Sequence, residues 1–175
     1  MRVDARRVPG RLLRLFFAMI VELQNVIQAL RNELHQYGEM LALLEQQQHV
    51  ARHSGAEEIL RSIAHINHQS HSIQAARERR KSAQRQLAAA LQRPEQTTFS
   101  TLLHLLPNSY QPMVNALVQE NNELLIRVRE RAQANQLLLR RALELMQRFI
   151  TTLTLEDSPA ADASNAVLRL ETAMV

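Results

Sequence analysis

The chain has 175 residues, with three Gly, no Cys and a formal net charge of +4. This length suits one domain or one elongated unit, and the scarcity of Gly argues against sandwiches, barrels and βα repeats. The absence of Cys excludes disulfides and thiolate metal sites. The first fourteen residues contain five Arg and one Asp, so the excess positive charge lies in a short N-terminal arm. That distribution argues against a nucleic-acid-binding domain.

The longest uncharged apolar run, residues 15–21, ends at Glu22. A run of this length is too short to span a bilayer, so we expect no stable membrane insertion. The Arg-rich start resembles the beginning of a secretory signal peptide, but no small-residue cleavage site follows. We therefore expect this run to belong to the first helix.

Residues 1–10 are predicted to be a basic flexible arm, which ends at Pro9-Gly10. From residue 11 onward, apolar residues recur at alternating steps of three and four, the spacing of one helix face. These positions are Leu13, Phe16, Ile20, Leu23, Ile27, Leu30, Leu34, Tyr37, Leu41 and Leu44. The pattern predicts a helix of about 40 residues.

A junction between two helices is predicted at Ser54 and Gly55. Gly55 can end the first helix, and Ser54 with Glu57 has the spacing of a capping box for the second. One unbroken helix through this point is the alternative. The second helix is predicted to end at about residue 92, because the residue before Pro94 is pushed out of the helical region. Its seam is polar in the middle, which indicates weaker packing there.

A connector of residues 93–111 follows the second helix. Its Leu-rich part predicts one or two helical turns whose Phe and Leu side chains pack onto the long helices. The last helix is predicted over residues 112–155, since Pro112 suits a first turn. Residues 156–175 are acidic and rich in small side chains, and we expect a disordered tail.

These elements predict an all-α fold. Residues 11–155 form the helical domain, in which residues 11–92 make a hairpin because the link at the junction is short. The last helix packs along this hairpin. The expected architecture is an elongated antiparallel bundle of three long helices with coiled-coil-like packing and a short helical connector.

The last helix carries two neighbouring apolar stripes. The heptad seam consists of Val114, Leu117, Asn121, Leu124, Val128, Arg131, Asn135, Leu138, Ala142, Leu145 and Phe149. The second stripe consists of Val118, Leu125, Ala132, Leu139, Met146 and Leu153. Together they make a face wider than a two-stranded coiled coil needs. We expect the seam from Leu117 to Leu145 to pack inward and the second stripe to be available to a partner helix.

Asn121 and Asn135 interrupt the apolar seam of the last helix. Buried Asn at such positions can fix the register of neighbouring helices at a cost in stability. The alternative is that this part of the seam contacts the backbone of a partner.

The sequence contains no pattern that is typical of a catalytic site. It has no phosphate-binding Gly loop and no Gly-flanked nucleophile, so we expect neither an enzyme nor a cofactor. His49 and His53 have metal-ligand spacing, and His65, His68 and His71 recur every three residues. Both sets fall between seam positions, so we interpret them as a solvated face and expect no metal site.

A basic cluster on the second helix comprises Arg77, Arg79, Arg80, Lys81 and Arg85. Such a cluster could contact phosphates or an acidic partner. A solvated helical face is the favoured interpretation, and we expect no nucleic-acid partner.

The last helix contains Asn-Asn-Glu-Leu-Leu-Ile at residues 121–126, before an amphipathic run. With the order of the helices, this resembles the FlgN-type flagellar export chaperones, whose last helix carries Asn-x-x-Asn-x-x-Leu-Ile-like residues. The matching residues are Asn121, Asn122, Leu125 and Ile126. The chain departs from the family pattern in two ways. It has Asn-Asn-Glu where a second spaced Asn is expected, and it carries an additional basic arm. The resemblance covers residues 15–155.

The resemblance implies a non-catalytic cytoplasmic chaperone, and we expect a monomer or a homodimer. Such proteins bind C-terminal helical segments of hook-associated (hook–filament junction) proteins, prevent their premature association and deliver them to the flagellar type III export apparatus. Components of that apparatus are further candidate partners. The alternative is a structural coiled-coil adaptor or homo-oligomeric spacer without a specific client. The residues expected to contact the client are Val118, Asn121, Asn122, Leu124, Leu125, Val128, Leu138, Leu139, Leu145, Met146 and Phe149.

Overall fold

The computed structural model describes residues 10–156, except the side chains of residues 10–13, 15, 149 and 153–156. The basic arm before residue 10 and the tail after residue 156 lie outside the described residues. The described chain forms four helices: α1 (Gly10–His53), α2 (Ala56–Ala90), α3 (Phe99–Leu105) and α4 (Gln111–Glu156). These residues include no strand, so the predicted all-α class is confirmed.

The chain divides into two compact units, and the dividing point lies within α4. Residues up to Ala132 belong to the first unit and residues from Gln133 to the second. All four helices contribute residues to the first unit, whose packing is described next.

The break between α1 and α2 is real, so the alternative of one unbroken helix is wrong. Gly55 is the N-cap residue of α2 and has an extended backbone, with φ −77° and ψ 174° and no side-chain cap. The predicted capping box is therefore also wrong, because Ser54 lies one position before the N-cap. Glu57 and Glu58 occupy the first turn of α2, where the positive end of the helix dipole favours acidic side chains.

α1 and α2 run antiparallel along the first unit. Gln47 near the end of α1 donates to Ser62 near the start of α2, at 3.4 Å. Earlier in α1, Glu33 accepts a hydrogen bond from Arg80 in the later part of α2. Higher residue numbers in one helix thus meet lower numbers in the other.

Contacts of α4 within the first unit advance in the same direction as α1. Asn121 Nδ2 donates to the carbonyl oxygen of Leu30 at 3.1 Å. Ten residues later, Arg131 Nη1 donates to Gln48 Oε1 at 3.0 Å. This first part of α4 therefore lies parallel to α1.

Two apolar clusters form the core of the first unit. The first cluster consists of Met19, Leu23, Val26, Ile27, Leu30, Ala83, Leu87, Leu106 and Val114. The second cluster consists of Tyr37, Met40, Leu41, Leu44, Ile73 and Val128. Phe99 and Leu103 of α3 pack against the first cluster, as predicted for the connector. Phe16, predicted on the α1 seam, is instead exposed, and the first cluster begins three residues later, at Met19.

α2 ends two residues before the predicted position, in a left-handed turn. Gln92 has φ 56°, and its N–H donates to the carbonyl of Ala89 at 2.9 Å. The N–H of Arg93 donates to the carbonyl of Ala88 at 2.8 Å. This pair of bonds is a Schellman motif, in which Gly is the usual left-handed residue.

Candidate functional site

Both predicted stripes of α4 are at least partly covered in the first unit. Val114 and Val128 are buried, at 0% and 9% exposure. Of the second stripe, Val118 packs against the first cluster and Leu125 against the second. Leu124 of the seam also packs against the second cluster. We expected the seam to pack inward and the second stripe to stay available to a partner. In the first unit both stripes instead pack against the core, because they form one broad apolar face.

The second unit shows a different pattern on the same helix. Leu138 and Leu139 are half-buried, whereas Leu145 is 66% exposed and Met146 is 47% exposed. The prediction that Leu145 packs inward is wrong. The side chain of Phe149 and that of Leu153 lie outside the described residues. Exposure thus changes along the length of α4 more than between its two stripes.

Three exposed apolar residues in this part were missing from the predicted client-binding set. Leu137 is 51% exposed, and Leu143 and Ile150 are each 60% exposed. Leu139, Leu143, Met146 and Ile150 have the spacing i, i+4, i+7 and i+11, which places these four on one helix face. That spacing was visible in the sequence, but the heptad pattern that fitted the earlier part of α4 obscured it. We call Leu139, Leu143, Met146 and Ile150 the distal face.

The two adjacent Asn residues of α4 differ in burial. Asn121 is 6% exposed, and its Nδ2 donates to the carbonyls of Leu30 and Leu117 at 3.1 and 2.8 Å. The structure therefore favours the register-fixing interpretation of Asn121 over contact with a partner's backbone. Asn122 is exposed and lines a cavity of the first unit.

This cavity has a volume of about 480 Å³ and is lined by residues of α1, α2, α3 and α4. Its cationic lining residues are Arg77, Arg80, Lys81 and Arg129. Its apolar lining residues are Leu30, Phe99, Val118 and Leu125. Of the predicted client-binding residues, the cavity brings together Val118, Asn121, Asn122 and Leu125. Its size is within the usual range of ligand sites.

A buried ion-pair network forms one wall of the cavity. The Glu33 carboxylate, 5% exposed, accepts from Arg80 Nε at 2.5 Å and from the Tyr37 hydroxyl at 2.8 Å. Arg77 Nε in turn donates to the Tyr37 hydroxyl at 2.8 Å. Two members of the basic cluster are therefore paired inside the fold, which corrects the interpretation of the whole cluster as a solvated face.

The phenol of Tyr37 has an altered acidity in this network. Burial raises its pKa, and the hydrogen bond from Arg77 lowers the pKa by a smaller amount. The Glu33 carboxylate beside the phenol adds to the increase. The Tyr37 hydroxyl is therefore neutral and links Glu33 to Arg77. It donates a hydrogen bond to the Glu33 carboxylate and accepts one from Arg77 Nε.

The His residues with metal-ligand spacing form no cluster of ligands. The rings of His49 and His53 stack with centroids 4.5 Å apart, and His53 Nδ1 lies 3.0 Å from the carbonyl oxygen of His49. His65, His68 and His71 are exposed. Within residues 10–156, no group of three or more His, Cys, Asp or Glu could hold a metal ion.

None of the described helices is both long and apolar enough to cross a membrane.

The comparison with known families identifies the chain. A family model described as FlgN protein matches residues 19–161, which is most of the sequence. Neither a curated protein nor a solved structure matches it. The matched range includes most of α1 and the whole of α2, α3 and α4, and the predicted family is confirmed. The chain belongs to the FlgN family, and it is accordingly a flagellar export chaperone.

Proposed function

We propose that this protein is a non-catalytic cytoplasmic chaperone for hook-associated (hook–filament junction) flagellar proteins. It binds their C-terminal helical segments, prevents premature association and delivers them to the flagellar type III export apparatus. The proposal includes the arrangement of α1, α2 and α4 as an antiparallel three-helix bundle along the first unit, which would hold α4 in place as a binding element.

The observation that carries the proposal is the exposure of apolar side chains on the distal face. Leu143 and Ile150 are each 60% exposed and Met146 is 47% exposed. An amphipathic helix buries such a face against something, and helix-in-groove recognition uses anchors at this spacing. Since the family consists of flagellar export chaperones, a helix of a client protein is the partner that this face fits. Leu138, Leu145 and Phe149 extend the proposed surface.

The proposal is tested with the full chain and a C-terminal fragment of a hook-associated protein. The double variant Met146→Ala and Ile150→Ala is compared with Gln147→Ala and Arg148→Ala, which alters exposed polar residues of the same turns. The first variant should bind the fragment at least about tenfold more weakly, because two apolar anchors lose contact area. The second should bind within about twofold of the original chain.

Circular dichroism and light scattering complete this experiment. Both variants should keep their helicity, since the changed side chains are exposed. If the apolar variant unfolds while its folded fraction binds normally, the distal face is part of the core and the proposal fails.

A homo-oligomeric spacer is the second candidate, because a further copy of the chain could cover the same distal face. This function predicts a concentration-dependent oligomer that the Met146→Ala and Ile150→Ala variant dissociates, together with no binding of the client fragment. A chaperone instead gives a complex of defined stoichiometry with the fragment.

A further inference from the structure

The cavity of the first unit is strongly cationic. Arg77, Arg80, Lys81 and Arg129 line it together with one acidic residue, Glu33. Glu33 is already engaged by Arg80 at 2.5 Å and lies 3.7 Å from Arg77. One carboxylate against four cations leaves a positive surplus in a concave site, where the attraction for an anion is stronger than on an open surface.

Arg129 is the cation that remains available. Within the described chain it has no ion pair and no hydrogen bond, whereas Lys81 Nζ lies 2.8 Å from the exposed carboxylate of Glu78. Arg guanidinium is suited to two-pronged binding of a carboxylate. A free guanidinium at the edge of a cavity therefore offers a place for an incoming acid.

The apolar lining adds a second requirement. Phe99, Val118 and Leu125 also line the cavity and favour the carbon atoms of a ligand over a small inorganic ion. An acidic residue of a peptide combines a carboxylate with apolar carbon atoms.

We propose that this cavity binds a carboxylate of the client segment, paired with Arg129. The inference rests on the proposed function, and it adds an acidic anchor to the apolar contacts of the distal face. The carboxylate comes either from an Asp or Glu side chain or from the C-terminus of the client chain.

The test is a double-mutant cycle between the full chain and a client C-terminal peptide. Arg129→Gln is compared with Arg127→Gln, which removes an exposed charge two residues earlier that does not line the cavity. In the peptide, each Asp or Glu is replaced in turn by Asn or Gln, and a further peptide carries a C-terminal amide. The affinities are measured by isothermal titration calorimetry.

Arg129→Gln should weaken binding about tenfold, as expected for one charge-assisted hydrogen-bonded pair, and Arg127→Gln less than twofold. One peptide change should weaken binding to the original chain about tenfold and have almost no effect with Arg129→Gln, because the pair is then already lost. Whether that change is a side-chain replacement or the amide identifies the source of the carboxylate.

The inference is overturned if Arg129→Gln and Arg127→Gln weaken binding equally, or if no acidic group of the peptide is coupled to Arg129. In either case a peptide that still responds to Met146→Ala and Ile150→Ala leaves the proposed function standing. If the peptide does not bind the original chain at all, both proposals fail.

Discussion

The two ends of α4 carry similar apolar periodicity and differ in coverage. Between Val114 and Val128, apolar side chains of both stripes pack against the two clusters. Further along α4, the side chains of Leu143, Leu145, Met146 and Ile150 are about half exposed or more. The difference teaches that heptad spacing predicts a helix face and that burial depends on which other elements are present to cover it.

The largest expected effect is the difference in lost stability between alanine substitutions of Val114 and Leu145. Val114→Ala should lower the free energy of unfolding by about 2–3 kcal/mol, since a fully buried side chain leaves a cavity. Leu145→Ala should change it by less than about 0.5 kcal/mol. Urea denaturation followed by circular dichroism measures both. Equal losses would mean that the two ends of α4 are covered alike.

Polar side chains are expected to show a similar contrast between buried and exposed positions. Glu33→Ala removes the carboxylate that pairs with Arg80 and Arg77 and should cost about 2 kcal/mol, because two partly buried guanidinium groups lose their partner. Glu39→Ala removes an exposed acid from the same helix and should cost less than about 0.5 kcal/mol. Thermal denaturation of the two variants decides whether the network stabilises the first unit.

A smaller effect concerns Tyr37 and has a defined dependence on pH. The pKa of Tyr37 is raised above its ordinary value of 10.0, mainly by burial. The folded chain therefore holds this proton more tightly than the unfolded chain, and stability falls as the pH rises above that ordinary value. Tyr37→Phe should cost about 1 kcal/mol at neutral pH, from the lost hydrogen bonds, and should reduce this alkaline loss.

Tyr110→Phe is the matched control, because it retains Tyr37 and so retains its alkaline loss. Denaturant titrations at a series of pH values test both variants. An identical pH profile for Tyr37→Phe and the original chain would contradict the role assigned to burial.

The smallest expected effect lies where the backbone of the first unit is strained. Gln92 adopts φ 56°, a conformation that costs a residue with a side chain about 1 kcal/mol relative to Gly. Gln92→Gly should raise the free energy of unfolding by about 0.5–1 kcal/mol, whereas Gln86→Gly, at an exposed position inside α2, should lower it by about 1 kcal/mol. A decrease for both would show that the turn is unstrained.

Much of the fold could be predicted from the sequence. Three-and-four spacing predicted the long helices, and the Leu-rich connector predicted α3. The capping box was wrong because helix boundaries depend on the backbone angles of Gly55, which the sequence pattern does not fix. The spacing of Ser54 and Glu57 alone could not show whether Ser54 or Gly55 is the N-cap residue of α2.

The candidate site was predicted less completely, for a physical reason. The pairing of Arg77 and Arg80 with Glu33 joins residues more than forty positions apart, and one sequence contains no signal of such a pairing. Burial was one of two interpretations of Asn121 at its seam position, and its bond to the Leu30 carbonyl depends on the relative position of α1 and α4, which the sequence does not give. The exposure of Leu145 could not be predicted either, because it depends on whether another helix covers this part of α4.

The hydrogen bond from Asn121 to the Leu30 carbonyl has a mechanical consequence. Moving α4 along α1 by one turn would shift the amide by about 5.4 Å and strand a buried donor, at a cost of about 1–3 kcal/mol. Apolar contacts alone would resist such shear weakly, since one Leu can replace another. A pull along the axis of α4 therefore meets resistance at this amide, as well as at the bond from Arg131 to Gln48, and the force is transmitted to α1 before the helices slide.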